Sequence, residues 1–228
     1  MKRLFEAGLK RIEKWDNVPK KDILTMKKLL IAFASSWEAE RSLQLFGCAL
    51  EEGKELYSIP SGHIVITGYG CLQASSQVSR YAHLADEIWN LGIAGAFHAS
   101  LEEMQIQAIS HCSLNLSFPA ALDAHSIALS QKVFPAISLS QEGARLVSSH
   151  YPVYEPSTRL ALSLSADLVD MEGYGVASAA ALLKKPCRLW KLVSDQASPE
   201  DWLKIFQNKR HLSLKIAQHL EHLLHLHS

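Results

Sequence analysis

Residues 167–183 read DLVDMEGYGVASAAALL. An apolar run at Leu168 and Val169 gives way to a helical stretch built of small residues, and at the junction two carboxylates, Asp170 and Glu172, flank Met171. Residues 188–198 make a comparable change, from the apolar run RLWKLV into SDQAS, which places Ser194 and Asp195 at a strand end. In open α/β folds ligands bind outside the carboxyl ends of strands, where loops enter the next helix. Charge at two such junctions is therefore a functional signal as well as a structural one.

Working outward, the chain alternates strand and helix patterns. Strand-like runs occur at 29–34 (LLIAFA), 63–67 (HIVIT), 87–93 (EIWNLGI), 104–109, 144–148, 168–171 and 188–193. Helical patterns occupy 37–46, 72–84, 173–183 and the stretch from Pro199 onward. This alternation predicts a three-layer α/β/α sandwich around a mixed central sheet. In the final helix, Leu203, Phe206, Ile216, Leu220, Leu223 and Leu224 make one broad apolar face. His219, His222 and His225 read as its polar flank rather than as metal ligands, and no metal or organic cofactor is expected.

The 228 residues are 48% hydrophobic and balance 23 basic against 23 acidic side chains. Without a basic stripe to displace phosphate counterions, a nucleic-acid partner is not expected. Cys48, Cys71, Cys112 and Cys187 form neither a CxxC pair nor a disulfide framework. No apolar stretch approaches the about 20 residues needed to span a bilayer, so the expectation is a cytoplasmic protein without a membrane partner. Residues 1–26 pattern as a charged, amphipathic helical extension, and residues 27–228 as a single α/β domain.

Five junctions are candidate sites: 35–40, 68–71, 92–97, 170–174 and 194–195. GYGCLQ at 68–73 is half a dinucleotide fingerprint, with Gln73 where a third glycine belongs, which argues against a nicotinamide cofactor. Gly70 and Gly92 are expected in tight turns that bring backbone close to a ligand. Asp195 either caps the following helix or stands over the sheet edge to donate a proton.

Taken in order, VDMEG at 169–173, VSDQA at 193–197, NLGIAG at 90–95 and TGYG at 67–70 resemble the nucleoside phosphorylase and nucleosidase superfamily. The resemblance is to its hydrolytic branch, the methylthioadenosine/adenosylhomocysteine nucleosidases and futalosine hydrolases, and covers all but the N-terminal extension. It implies a nucleoside phosphorylase-like fold, a homodimer and hydrolysis of a 5′-substituted purine nucleoside. Glu172 would accept the ribose hydroxyls, Met171 would pack on the sugar with Asp170 beside it, and Asp195, held by Ser194, would protonate the purine at N7. Glu40, with Glu38 as the less favoured alternative, would position the attacking water, and Tyr151 would stack on the base.

Asn90 and Ile93 stand where the phosphorylases of this superfamily carry an arginine and a serine for phosphate, which favours water as nucleophile. EAER at 38–41 together with VDMEGYGVA leans the resemblance toward futalosine or 6-amino-6-deoxyfutalosine, intermediates of menaquinone biosynthesis. Methylthioadenosine or adenosylhomocysteine cleavage, a purine nucleoside phosphorylase and a non-catalytic nucleoside-binding homologue are the alternatives. The futalosine side chain ends in an aromatic carboxylate, for which His150, Arg159 and the loop at 151–156 are the candidate contacts.

Overall fold

The computed structural model describes residues 27–116, 132–198 and 201–227. The expected helix within 1–26 and the expected helix start at Pro199 lie outside the described residues.

Strand β1 (Leu29–Phe33) is buried along its whole length, since it is paired on both sides and helices cover both of its faces. It runs parallel to β3 (Gly62–Ile66) and to β4 (Glu87–Ala96), while β2 (Leu56–Ile59) adds an antiparallel edge to β3. β4 continues parallel to β9 (Cys187–Asp195), which lies antiparallel to β5 (Ile106–Leu114). β5 pairs with the two-residue β6 (Ile137–Ser138) and runs parallel to β7 (Ala144–Ser148). β7 runs parallel to β8 (Leu168–Asp170), and β8 returns to β4 through Gly95 and Ala96. Strands β4, β9, β5, β7 and β8 therefore close into a ring within the mixed nine-stranded sheet.

Helices cover both faces, and the alternation of side chains along β1 shows how. Leu30 and Ala32 join a core with Cys71, Ala74 and Val78 of α2 (Cys71–Tyr81) and with Val176, Ala179 and Ala180 of α4 (Gly173–Leu182). Leu29, Ile31 and Phe33 join the opposite core with Ala39 and Leu43 of α1 (Ser36–Leu45) and Leu212, Ile216 and Leu220 of α5 (Trp202–His227). A short 3₁₀ turn, Ala82–Leu84, ends the α2 segment. The expected layering around a mixed sheet is the observed one.

Several boundaries differ from expectation. β4 runs on to Ala96, so NLGIAG is strand rather than turn. Its glycines make room instead of bending the chain: a Cβ on Gly95 would stand 2.9 Å from Asp195 Oδ1 and 3.0 Å from Ala197 Cβ. Helix α3 (Pro156–Ser163) is not among the predicted helices, although its cue is local. Glu155 accepts the amides of Ser157 and Thr158, with Pro156 in the first turn. Leu203 and Phe206, assigned by periodicity to the core face of the last helix, are 68% and 47% exposed.

The small residues of α4 answer to a close crossing. A Cβ on Gly175 would lie 2.2 Å from the carbonyl oxygen of Cys71, so α4 meets the first turn of α2 backbone to backbone. Gly175→Ala would gain about 1 kcal/mol in helix propensity but must push two helices apart, at a cost of about 1–3 kcal/mol. The variant should melt a few degrees below the wild type in calorimetry. An unchanged or raised Tm would show that the crossing has slack.

Candidate functional site

A cavity of about 520 Å³ opens where β1, β4, β8 and β9 end, and four carboxylates line it: Glu38, Asp170, Glu172 and Asp195. Each is held by a different local device.

Glu38 sits in the first turn of α1, where its carboxylate accepts the backbone N–H and the hydroxyl of Ser35 at 2.9 and 2.8 Å. This is the reach-back half of a capping box. The other oxygen accepts the amide of Ile93 at 3.1 Å, tying the start of α1 to β4. Burial raises its pKa, and Ser35 and Lys191 oppose that only in part.

Asp170 accepts from three donors. Ser148 donates to one oxygen at 2.5 Å, and the Gly173 amide and the Lys191 ammonium donate to the other at 2.8 and 2.7 Å. Lys191, on β9, is 1% exposed. Burial works to lower its pKa, but Asp170, Glu172 and Glu38 together hold it raised.

Glu172 is the residue from which α4 starts, and its Oε1 accepts the Gly70 amide at 2.8 Å. Gly70 has φ of 91°, a left-handed conformation that favours glycine. Burial, and then the neighbouring Asp170 carboxylate, push Glu172 up to about 8, with Lys191 offsetting part of the rise.

Asp195 ends β9. Ser194 donates its hydroxyl at 2.5 Å and the Ala197 amide donates at 2.7 Å. Burial raises this carboxyl too, against both hydrogen bonds.

The structure thus brings together Asp170, Met171, Glu172, Ser194, Asp195, Ile93 and, at the rim, the 58%-exposed Tyr151. Glu40 is not among the lining residues. It accepts from Gln44 one turn on, along the outer side of α1, so the carboxylate inside is Glu38. The reason is helical geometry: two residues along a helix turn the side chain by about 200°. Gly70 and Gly92 also stay behind the wall. Gly70 acts through Glu172, and Gly92 backs onto the charge cluster, where a Cβ would meet Glu38 Oε1 at 3.1 Å and Lys191 Nζ at 3.4 Å. Asn90 is buried, with its amide given to the Ala32 carbonyl at 3.0 Å.

His150 does not line the cavity, and Arg159 donates to the carbonyls of Phe97 and Gln196, bracing the loop after β9. Trp37 and Tyr154 come from the candidate junction at 35–40 and the candidate loop at 151–156, whereas sequence reasoning missed Lys191 and Lys209. For Lys191 a cue existed, a lone charge inside the apolar run RLWKLV. Such a charge in a doubly paired strand needs a buried partner.

Neither a protein-family model nor a curated protein matches this sequence. Solved structures do match its fold. Arabidopsis thaliana 5′-methylthioadenosine nucleosidase, 18% identical, superposes with a TM-score of 0.73 over 89% of this chain and 96% of its own. Futalosine hydrolase of Helicobacter pylori, 17% identical, gives 0.70 over 87% and 97%. An MTAN of Chlamydia trachomatis, 23% identical, gives 0.67 over 87% and 97%. The fold is therefore the one these nucleosidases share. They belong to the hydrolytic branch that the VDMEG and VSDQA motifs resemble.

The raised Glu172 has a consequence for stability. A carboxyl whose folded pKa lies above its unfolded value of 4.5 binds its proton more tightly in the native state. Its stabilising contribution is complete below about 4.5 and is lost as pH rises through about 8. The Tm of the unliganded protein should fall across that window, and Glu172→Gln, with no proton to lose, should flatten the decline. Parallel Tm profiles for the two proteins would remove Glu172 as its source.

Proposed function

We propose that this protein hydrolyses the N-ribosidic bond of a 5′-substituted purine nucleoside. The observation that carries this reading is the pairing, in one cavity, of a buried carboxyl with a raised pKa at the end of β9 with two further carboxylates at the ends of β1 and β8. Carboxyl groups in different environments divide acid and base roles between them.

In this scheme Asp195 carries the proton. It passes to N7 of the purine as the bond from C1′ to N9 breaks, so that the base departs neutral. Glu172 accepts the ribose hydroxyls, and its charge stabilises the positive charge growing on the sugar ring. The hydroxyl donors and that developing charge both favour the ionised form of Glu172, drawing down the pKa that burial raises. Water adds to C1′ as the base leaves and gives its proton to Glu38, whose Oε2 is fixed by Ser35 while Oε1 meets the Ile93 amide. The products are a free purine and a free ribose derivative.

The lining offers neither arginine nor a hydroxyl at position 93, and Asn90 is committed to β1. Both facts support water over phosphate. For the 5′ group we take a futalosine-type substituent, which would place the reaction in menaquinone biosynthesis. Methylthioadenosine is the second reading, supported by the apolar Trp37, Ile93, Ile205 and Phe206 in the wall. Pairing into a homodimer belongs to the same proposal, and the exposure of Tyr69 in the cavity wall (62%) and of Leu72 at the start of α2 (80%) supports it.

Asp195→Asn keeps the shape but removes the transferable proton, so kcat for base release should fall at least about a hundredfold. Glu38→Gln should also be severely impaired while Glu40→Gln stays within about twofold of wild type. Equal losses at 38 and 40, or unimpaired Asp195→Asn, would sink the assignment. Chromatography of the products offers a separate check. Release should run at full rate in phosphate-free buffer and yield the free sugar, and a sugar 1-phosphate formed only with added phosphate would make the protein a phosphorylase.

A further inference from the structure

The cavity has two unlike ends. At one, Asp195 stands with Val153, Val169 and Ala197, which belong to a small core beside the loop after β9. At the other, Trp37, Ile93 and Ile205 pack on the α1 and α5 core, and Phe206 and Lys209 complete the wall. Ile205 and Lys209 are one turn apart on α5, and Phe206 and Lys209 are three residues apart, so helical geometry aims them toward one place.

Lys209 is the unusual member. Its Nζ lies 4.2 Å from the Phe206 ring centroid and 5.7 Å from that of Trp37. None of the ion pairs among the described residues uses it. Lys191 and Lys204, which also act on the cavity carboxylates, are by contrast paired with Asp170 and Asp201. The structure therefore holds a cation against two aromatic faces in the cavity wall. Aromatic quadrupoles keep such an ammonium in place without neutralising it.

We propose that Lys209 is a specificity-determining residue that receives an acidic terminus on the 5′ substituent, with the rings of Trp37 and Phe206 flanking an aromatic or alkyl spacer. The inference rests on the nucleosidase reading and adds the residue that selects an acidic 5′ group. Against four carboxylates, Lys209 is the one basic side chain among the described lining residues, so an anionic substituent finds its attraction there. With Asp195 at the purine and Glu172 at the ribose, a 5′ arm that reaches Lys209 runs along Ile205 and Phe206 of α5. Of the two basic residues near the loop at 151–156, Arg159 is occupied by backbone carbonyls and His150 lies outside the lining. Lys209 is thus the side chain available to read a carboxylate.

The test uses binding, so that it does not depend on turnover. Two adenosine analogues with a non-hydrolysable carbon–carbon glycosidic link, one carrying a 5′-phenylthio group and the other a 5′-(carboxyphenyl)thio group, differ only in the acid. Calorimetry on the full chain should give the acid form a Kd lower by about tenfold or more, as expected for one charge-assisted hydrogen bond. Lys209→Met should bring the ratio of the two Kd values close to one, Lys209→Arg should keep it, and raised salt should narrow it in the wild type. Equal affinities in the wild type, or a ratio that survives Lys209→Met, overturn the proposal and leave the nucleosidase reading intact. Failure of both analogues to bind any of the proteins overturns the nucleoside reading itself, and this inference with it.

Discussion

Lys191 puts an ammonium group in the interior of the sheet, and much of the surrounding structure serves to make that tolerable. It lies 2.7 Å from Asp170 on β8, a strand that does not pair with β9 but is linked to it through β4 on one side of the ring and through β7 and β5 on the other. Breaking a buried pair of this kind leaves an uncompensated charge and costs about 3–5 kcal/mol. The pair therefore couples two strand ends that the hydrogen-bond ladder does not join directly. It also sets the electrostatics of the site, because the same ammonium acts on Glu172 and Glu38.

Around that pair, local capping does the positioning. Asp170 takes the Gly173 amide at the start of α4, and the Ser148 hydroxyl that serves Asp170 also receives the Tyr174 amide at 2.8 Å. Glu38 closes on Ser35 at the start of α1. Orphan amides at helix starts have to be satisfied, and here the groups that satisfy them also present charge to the cavity. Asp195 is fixed in the same manner by the loop that follows it, where Ala197 adopts a positive φ of 51° and turns its amide back. A site supported in this way keeps its carboxylates apart in environment as well as in position. Asp170 accepts from three donors, one of them an ammonium, whereas Glu172 and Asp195 are raised chiefly by burial.

Much of this is legible in the chain. The alternation of runs gives the layers, and the strand ends at Asp170 and Asp195 are visible because charge interrupts apolar pattern there. Glu38 and Glu40 illustrate where the pattern stops. Both fit the family resemblance, and choosing between them needs the rotation of α1 about its axis, which the contacts of Ala39 and Leu43 with the core determine. The extension of β4 through Gly95 was likewise hidden, since a glycine that makes room for a neighbouring loop has the same letter as one that turns the chain.

Local sequence by itself determined every strand but β2 and the two-residue β6, most helices, the caps at Ser35 and Glu155, and the location of charge at strand ends, because propensity and capping act over only a few residues. Which of those charges share a cavity was decided by tertiary structure alone. Lys191 and Asp170 are 21 positions apart, Glu38 and Ile93 55, and Gly70 and Glu172 102. Their contacts exist because the ring of strands closes and brings distant strand ends to one place. The same holds for Lys209, whose neighbour Trp37 lies on a helix at the other end of the described chain and meets it only when α1 and α5 pack on the same face of the sheet.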